Sequence, residues 1–342
     1  MPTPRRAVRL GAAVLAVAAV LTGCRGSGDD PDALVVYNAQ HKTLTKLWAD
    51  GFTKKTGIKV VLRDGGDFDL ANQLKAEGAK SKADLFLTEN SPAMAIVEKA
   101  GLFADVDAAT RAQVPQRYST VSGKWVGIAA RSTVLVYNPS KAAEKDLPAS
   151  LLDLADPTWA GRWGAGAGGA DFQAIVSALL ELKGEAATKA WLTAMKSNAK
   201  VYSNNIATMT AVNNGEVDAG VVYHYYWYRN QAGSKDISGN TKLHYFGQTT
   251  PNDPGAFLSV SGGGVLAAGK HNAQAQQFLA YVTGKQGQQV LADSDALEYP
   301  VGNGVAAAPA LVPLADLHSP EVDPSKLNGP QVIELMTQAG LL

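Results

Sequence analysis

Four side chains stand where a chain of alternating strands and helices can do chemistry. His41 lies just beyond the apolar run Ala33 to Tyr37, in Tyr37-Asn38-Ala39-Gln40-His41. Glu89 follows Ala83 to Leu87. Tyr225 and Tyr226 follow Asp218 to Tyr223, inside the run YHYYWYR. Ligands of open α/β sheets bind beyond the carboxyl ends of strands, which is where all four fall. Singly each has an ordinary explanation: a surface or capping histidine, a solvated carboxylate, an aromatic cluster in a core or interface. Together they offer two phenols, a carboxylate and an imidazole. Two phenolates and a carboxylate carry three negative charges, matching a hard trivalent cation such as Fe³⁺, and a neutral imidazole adds a fourth donor. The phenols, with an ordinary pKa near 10, must lose their protons as the metal binds. Adjacent tyrosines point to opposite faces of a strand. Both reach one ion only if Tyr225 and Tyr226 lie in a turn or at a helix start.

The elements that must position them follow from periodicity. Strands are predicted at Ala33 to Tyr37, Ile58 to Leu62, Ala83 to Leu87, Thr133 to Tyr137, Lys200 to Tyr202 and Asp218 to Tyr223. Helices are predicted at Thr43 to Thr56, Asp69 to Gly78, Asp171 to Lys183, Thr188 to Ser197, Ile206 to Asn213, Ala273 to Tyr281, Lys285 to Asp293 and Pro330 to Ala339. Trp159 to Trp163 reads as loop around short helices. The Gly-rich stretch Gly255 to Gly269 reads as strand material with turns, since no GxxxxGK[ST] or GxGxxG stands between a strand and a helix. The opening β-α-β-α-β order predicts a mostly parallel sheet with helices on both faces.

The N-terminus predicts export. Arg5, Arg6 and Arg9 precede the apolar stretch Leu10 to Leu21, which is signal-peptide length and too short to span a membrane. It ends in Leu21-Thr22-Gly23-Cys24, resembling a bacterial lipobox. Residues 1–23 then read as a lipoprotein-type signal, Cys24 as the lipidated residue and 24–32 as a flexible tether. Cys24 is the one cysteine, so the body can have neither a disulfide nor a thiolate site. Lysines plus arginines number 31, as do the acids, so no basic excess suggests nucleic acid.

At VVYNAQHK, FTKKTGIKV (Phe52 to Val60), ADLFLTEN, RSTVLVYN and YYW the sequence resembles the ferric-binding proteins, the periplasmic iron-binding members of the type II solute-binding fold. The resemblance spans nearly all the chain after the signal. It implies an α/β, two-domain fold with a ligand cleft between domains. One lobe would be 33–133 plus 256–306 and the other 134–255 plus 307–342. It also implies that His41, Glu89, Tyr225 and Tyr226 hold Fe³⁺, with a synergistic anion, carbonate or phosphate, or water completing six-coordination. The implied anion site is Gly168, Gly169 and Ala170, where the family's serine is replaced by Gly168, together with Asn205. Tyr223 stands where some members have a second asparagine. Arg131 is read either as a partner of that anion or as an interdomain salt bridge. The implied partner is the permease of an ABC importer, and the implied state a monomer anchored by lipid. Two other readings are an organic solute such as a polyamine, thiamine or phosphonate, and a secreted hydrolase with zinc on His41, His224 and Glu89. Neither HExxH nor GxSxG is present for the latter.

Overall fold

In the computed structural model, which describes Met1 and residues 30–342, the first half of the sheet is built as the periodicity predicts. Strand β1 (Leu34–Asn38) leads into α1 (Lys42–Thr56), β2 (Val60–Asp64), α2 (Asp67–Glu77) and β3 (Leu85–Leu87). The signal segment, Cys24 and most of the tether lie outside the described residues. Then come α3 (Ser91–Lys99), the short α4 (Ala108–Arg111) and the long β4 (Val126–Tyr137). The second half holds β5 (Trp163–Ala165), α5 (Ala170–Asn198), β6 (Ala199–Val201), α6 (Asn205–Asn213), β7 (Ala219–Tyr223), α7 (His224–Ala232) and β8 (Lys242–His244). Strand β9 (Leu258–Val265) returns to the middle, followed by α8 (Asn272–Thr283), α9 (Lys285–Asp293) and α10 (Gly329–Gln338).

The strands run in the order β2-β1-β3-β9-β4-β7-β5-β6, with β8 added to β4. β1 is parallel to β2 and β3, and β5 is parallel to β6 and β7. The central pairs β3/β9, β9/β4 and β4/β7 are antiparallel. The mixed sheet therefore consists of two parallel groups joined by two long strands. β4 serves both: Val126 to Ser132 pairs with β9, and Thr133 to Tyr137 pairs with β7. All twelve of its residues are buried, so it shows no alternation from which its length could be read.

The Gly-rich stretch forms β9, as strand material. A methyl group on Gly262 would lie 2.4 Å from Met94 Cγ, one on Gly263 2.6 Å from Leu279, and one on Gly264 2.6 Å from Phe103. The three glycines let core side chains from both faces close onto the strand. The core divides likewise. Trp48, Phe52, Leu85 and Phe278 pack under the first group of strands, and Trp163, Phe172, Trp191 and Met195 under the second. Helix α5 is broken at Gly184, at φ 80°, as the gap between the two predicted helices requires. Among the described residues no helix is long and apolar enough to cross a membrane.

Candidate metal centre

The four predicted donors meet at the carboxyl ends of parallel strands. His41 is the residue before α1, where the chain leaves β1. Asn38 fixes that exit: its amide donates to Gln40 O at 3.0 Å, Thr45 Oγ1 at 3.0 Å and Asp64 Oδ1 at 2.8 Å. Glu89 follows β3, its N–H donating to Asp67 Oδ1 at 2.9 Å and its carbonyl accepting from Ser261 Oγ at 3.1 Å. His41 Nδ1 lies 3.0 Å from Glu89 Oε1.

Strand β7 ends at Tyr223 and α7 begins at His224, so Tyr225 and Tyr226 occupy the first helical turn. Helical geometry replaces the opposite directions of a strand, and the two rings stack with centroids 4.2 Å apart. The Tyr225 ring meets the His41 ring edge-on at 5.0 Å, and its buried hydroxyl has no hydrogen-bond partner among the described residues. The Tyr226 hydroxyl donates to Asp171 Oδ2 at 3.0 Å.

Asp171, in the first turn of α5, was not among the predicted donors. Its Oδ1 accepts from Asn90 Nδ2 at 3.0 Å, and its Oδ2 from Asn205 Nδ2 at 2.8 Å. Of the predicted anion residues, Asn205 thus holds a carboxylate that the chain itself carries. Gly168, Gly169 and Ala170 form the head of α5. The Gly169 N–H is spent on Gly166 O, and Gly168 O accepts from Gln173. The Tyr223 hydroxyl donates to Asp171 O at 3.1 Å. Arg131 is fully buried: Nε pairs with Glu298 Oε1 at 2.9 Å, and its other nitrogens donate to Ser261 Oγ at 2.7 Å and Asn90 Oδ1 at 3.4 Å. Both partners of this ion pair fall within 33–133 plus 256–306, so it is not the interdomain salt bridge expected of Arg131.

The electrostatics share one sign. Burial and the negative charges of Asp171 and Glu89 push the Tyr225 phenol far up, and burial and Asp171 do the same to Tyr226. Burial and Glu89 push the Asp67 carboxyl up to about 7, and burial and Glu89 raise Asp171. Burial opposes a charge on His41, yet Glu298 and Glu89 outweigh it and hold the imidazole up at about 10. Burial is the largest cause for the phenols and for Asp67 and Asp171, and the neighbouring carboxylates push each of them the same way, toward the protonated form. A cavity of about 460 Å³ opens onto it, between the β1–α1 and β2–α2 loops on one side and the heads of α5 and α6 on the other. A second cavity of about 470 Å³, lined by Arg117, Phe257 and Lys326, holds none of the predicted site residues.

His224 is not brought to His41 and Glu89. Its fully buried ring stacks on Tyr299 at 4.7 Å, its Nδ1 accepts from the Ser132 N–H at 3.2 Å, and burial pushes its pKa down to about 3. The zinc arrangement considered for a hydrolase is not assembled.

A mixed sheet with two parallel groups whose strand ends feed one oxygen-rich cluster defines a type II solute-binding architecture. Residues 80–326 match the family model of the bacterial extracellular solute-binding proteins. The chain is 58% identical to the Fe(3+)-binding periplasmic protein of Serratia marcescens, over 96% of this chain and 97% of that one. It is 36% identical to the major ferric iron-binding protein of Neisseria meningitidis serogroup A, over 90% and 93% of the two chains. The crystal structure of iron-bound HitA from Pseudomonas aeruginosa superposes with a TM-score of 0.83 at 42% identity, covering 91% of this chain and all of that one. The chain belongs to the bacterial extracellular solute-binding proteins, in the branch of the periplasmic ferric-binding proteins.

Proposed function

We propose that the protein binds ferric iron outside the cytoplasm and delivers it to the permease of an ABC importer. The observation that carries this reading is the convergence of His41, Glu89, Tyr225 and Tyr226, with Asp171, from separate strand ends onto one cluster. The His41–Glu89 and Tyr226–Asp171 contacts, both 3.0 Å, already draw these donors together at hydrogen-bond distance. Among the described residues no three His, Cys, Asp or Glu side chains form a metal site by themselves, and the donor set proposed here adds the two phenols. Phenolate and carboxylate oxygens select a hard cation over a soft one.

The family relatives are binding proteins, and this chain binds and releases its cargo without chemistry on it. His41 and Glu89 belong to the lobe 33–133 plus 256–306, and the tyrosines to the lobe 134–255 plus 307–342. Iron binds the tyrosines and draws the lobes together, because only the closed form makes every contact. The protein acts as a monomer held at the membrane by a lipid on Cys24. Ferric titration should produce a visible tyrosinate-to-iron charge-transfer band and a rise in Tm. Polyamines, thiamine and phosphonates should produce neither. A Tm rise with one of those solutes and none with iron would refute the ferric assignment.

Asp171 takes the place of an exogenous anion. Its carboxylate stands at the head of α5, where a helix N-terminus favours negative charge, and already holds the Asn205 amide. Iron loading should therefore be indifferent to added carbonate or phosphate. Asp171→Ala should lower ferric affinity in anion-free buffer and regain part of it when carbonate is supplied. Equal affinities for the variant with and without carbonate would remove Asp171 from this role.

A further inference from the structure

No sequence motif points to Glu298, yet the chain goes to some length to place it. The residue before it, Leu297, sits at φ 52°, a region that bulky side chains rarely enter and that persists only where the surroundings fix it. The residue after it, Tyr299, exchanges both backbone hydrogen bonds with Ala130 at 2.9 Å, which registers Glu298 beside Arg131 of β4. The carboxylate between these two anchors has no exposed surface.

Its contacts concentrate on His41. Oε1 lies 2.9 Å from Arg131 Nε and 3.0 Å from His41 Nε2. The second is a close contact off the N–H line, since Nε2 is buried and makes no directed hydrogen bond. Oε2 accepts from Gln40 Nε2 at 3.2 Å, and Gln40 Oε1 accepts the His41 backbone N–H at 2.7 Å. One carboxylate therefore grips both the ring and, through Gln40, the backbone of His41. Ser261 closes the circuit: it accepts from Arg131 and Gln40 and donates to the carbonyl of Glu89.

We infer that Glu298 is a positioning residue for His41, fixing the imidazole ring in the orientation that faces Glu89 and the tyrosine pair. Its consequence for iron rests on the ferric reading above. The fixing of the ring rests on geometry alone. Groups that orient a metal-binding histidine are commonly worth about 10–100-fold in affinity.

The test is a double-mutant cycle read by ferric competition with a chelator, together with the His41 Cε1–H resonance of the metal-free protein. Glu298→Gln keeps the shape and removes the charge. It should weaken ferric binding by about 10–100-fold in the native chain and by less than about 3-fold when His41→Ala is already present, because a residue acting through His41 is silent once His41 is gone. The His41 resonance should shift and broaden in Glu298→Gln as the ring gains freedom. Equal losses in both backgrounds would show a general structural role and overturn the inference. An unchanged His41 resonance in Glu298→Gln would overturn it as well. If the native chain takes up no ferric iron, the ferric reading fails, and the resonance still decides whether Glu298 holds the ring.

Discussion

Phenylalanine at both Tyr225 and Tyr226 should abolish the visible band of the iron-loaded protein and lower ferric affinity by on the order of 10²–10⁴-fold or more. The lower bound follows from losing two contacts to charged groups at about 1.5–3 kcal/mol each. The true loss should be larger, because the phenolates supply two of the charges that balance Fe³⁺. The fold should tolerate the change. Tyr225 is 1% exposed, but its hydroxyl has no partner among the described residues, so the Tyr225→Phe substitution leaves no donor or acceptor stranded. The ring stack at 4.2 Å and the edge contact with His41 survive in phenylalanine. Tyr226→Phe releases only the Asp171 oxygen that also takes Asn205. Iron-free Tm should therefore stay within a few degrees of the native value while the band disappears. A variant that keeps both band and affinity would sink the donor assignment. Each single substitution should leave a weaker, shifted band, since one tyrosinate remains.

The legible part of this site was the part encoded at strand ends. Val36-Tyr37 to His41 and Leu87 to Glu89 announce themselves as apolar runs followed at once by polar donors. The tyrosine pair needed a helix start after Tyr223, and α7 begins at His224. The elements that sequence reasoning missed are short or featureless. β5 has three residues, Trp163–Ala165, too few to show a period, so its sequence reads as loop. Helix α3 opens Ser91-Pro92-Ala93 and buries six of its nine residues, leaving little polar stripe to recognise. The first seven residues of β4 escape the pattern because Gly127, Arg131 and Ser132 interrupt the apolar run, although all are buried. Asp171 was adjacent to a predicted anion site, and its carboxyl could have been weighed as the anion itself. Glu298 could not have been found this way. It follows no strand, and it meets His41 across 257 positions of sequence only because Leu297 and Tyr299 turn it inward.

Arg131→Met should destabilise the protein by about 3–5 kcal/mol, the usual result of removing one partner of a buried ion pair. The pair is desolvated on both sides, with no exposure at either side chain. Burial alone would raise the Glu298 carboxyl. The Arg131 charge and then His41 outweigh burial and hold it down at about 2. A carboxyl whose folded pKa is depressed contributes stability above the ordinary range near 4.5 and loses it as pH falls toward 2. In Arg131→Met that carboxyl loses the largest charge holding it down and rises, so the stability gap to the native chain should be full at neutral pH. It should narrow as pH drops below about 4. Denaturant unfolding at pH 7 and pH 3 checks both statements, and a gap that widens on acidification would contradict the pairing. The double variant Arg131→Met with Glu298→Leu separates folding from binding. With neither charge left to desolvate, most of the lost stability should return. Ferric affinity should not return with it, because His41 has then lost the carboxylate that holds its ring. Recovery of stability without recovery of affinity would show that the buried pair adds little net stability of its own and serves the side chain it aims.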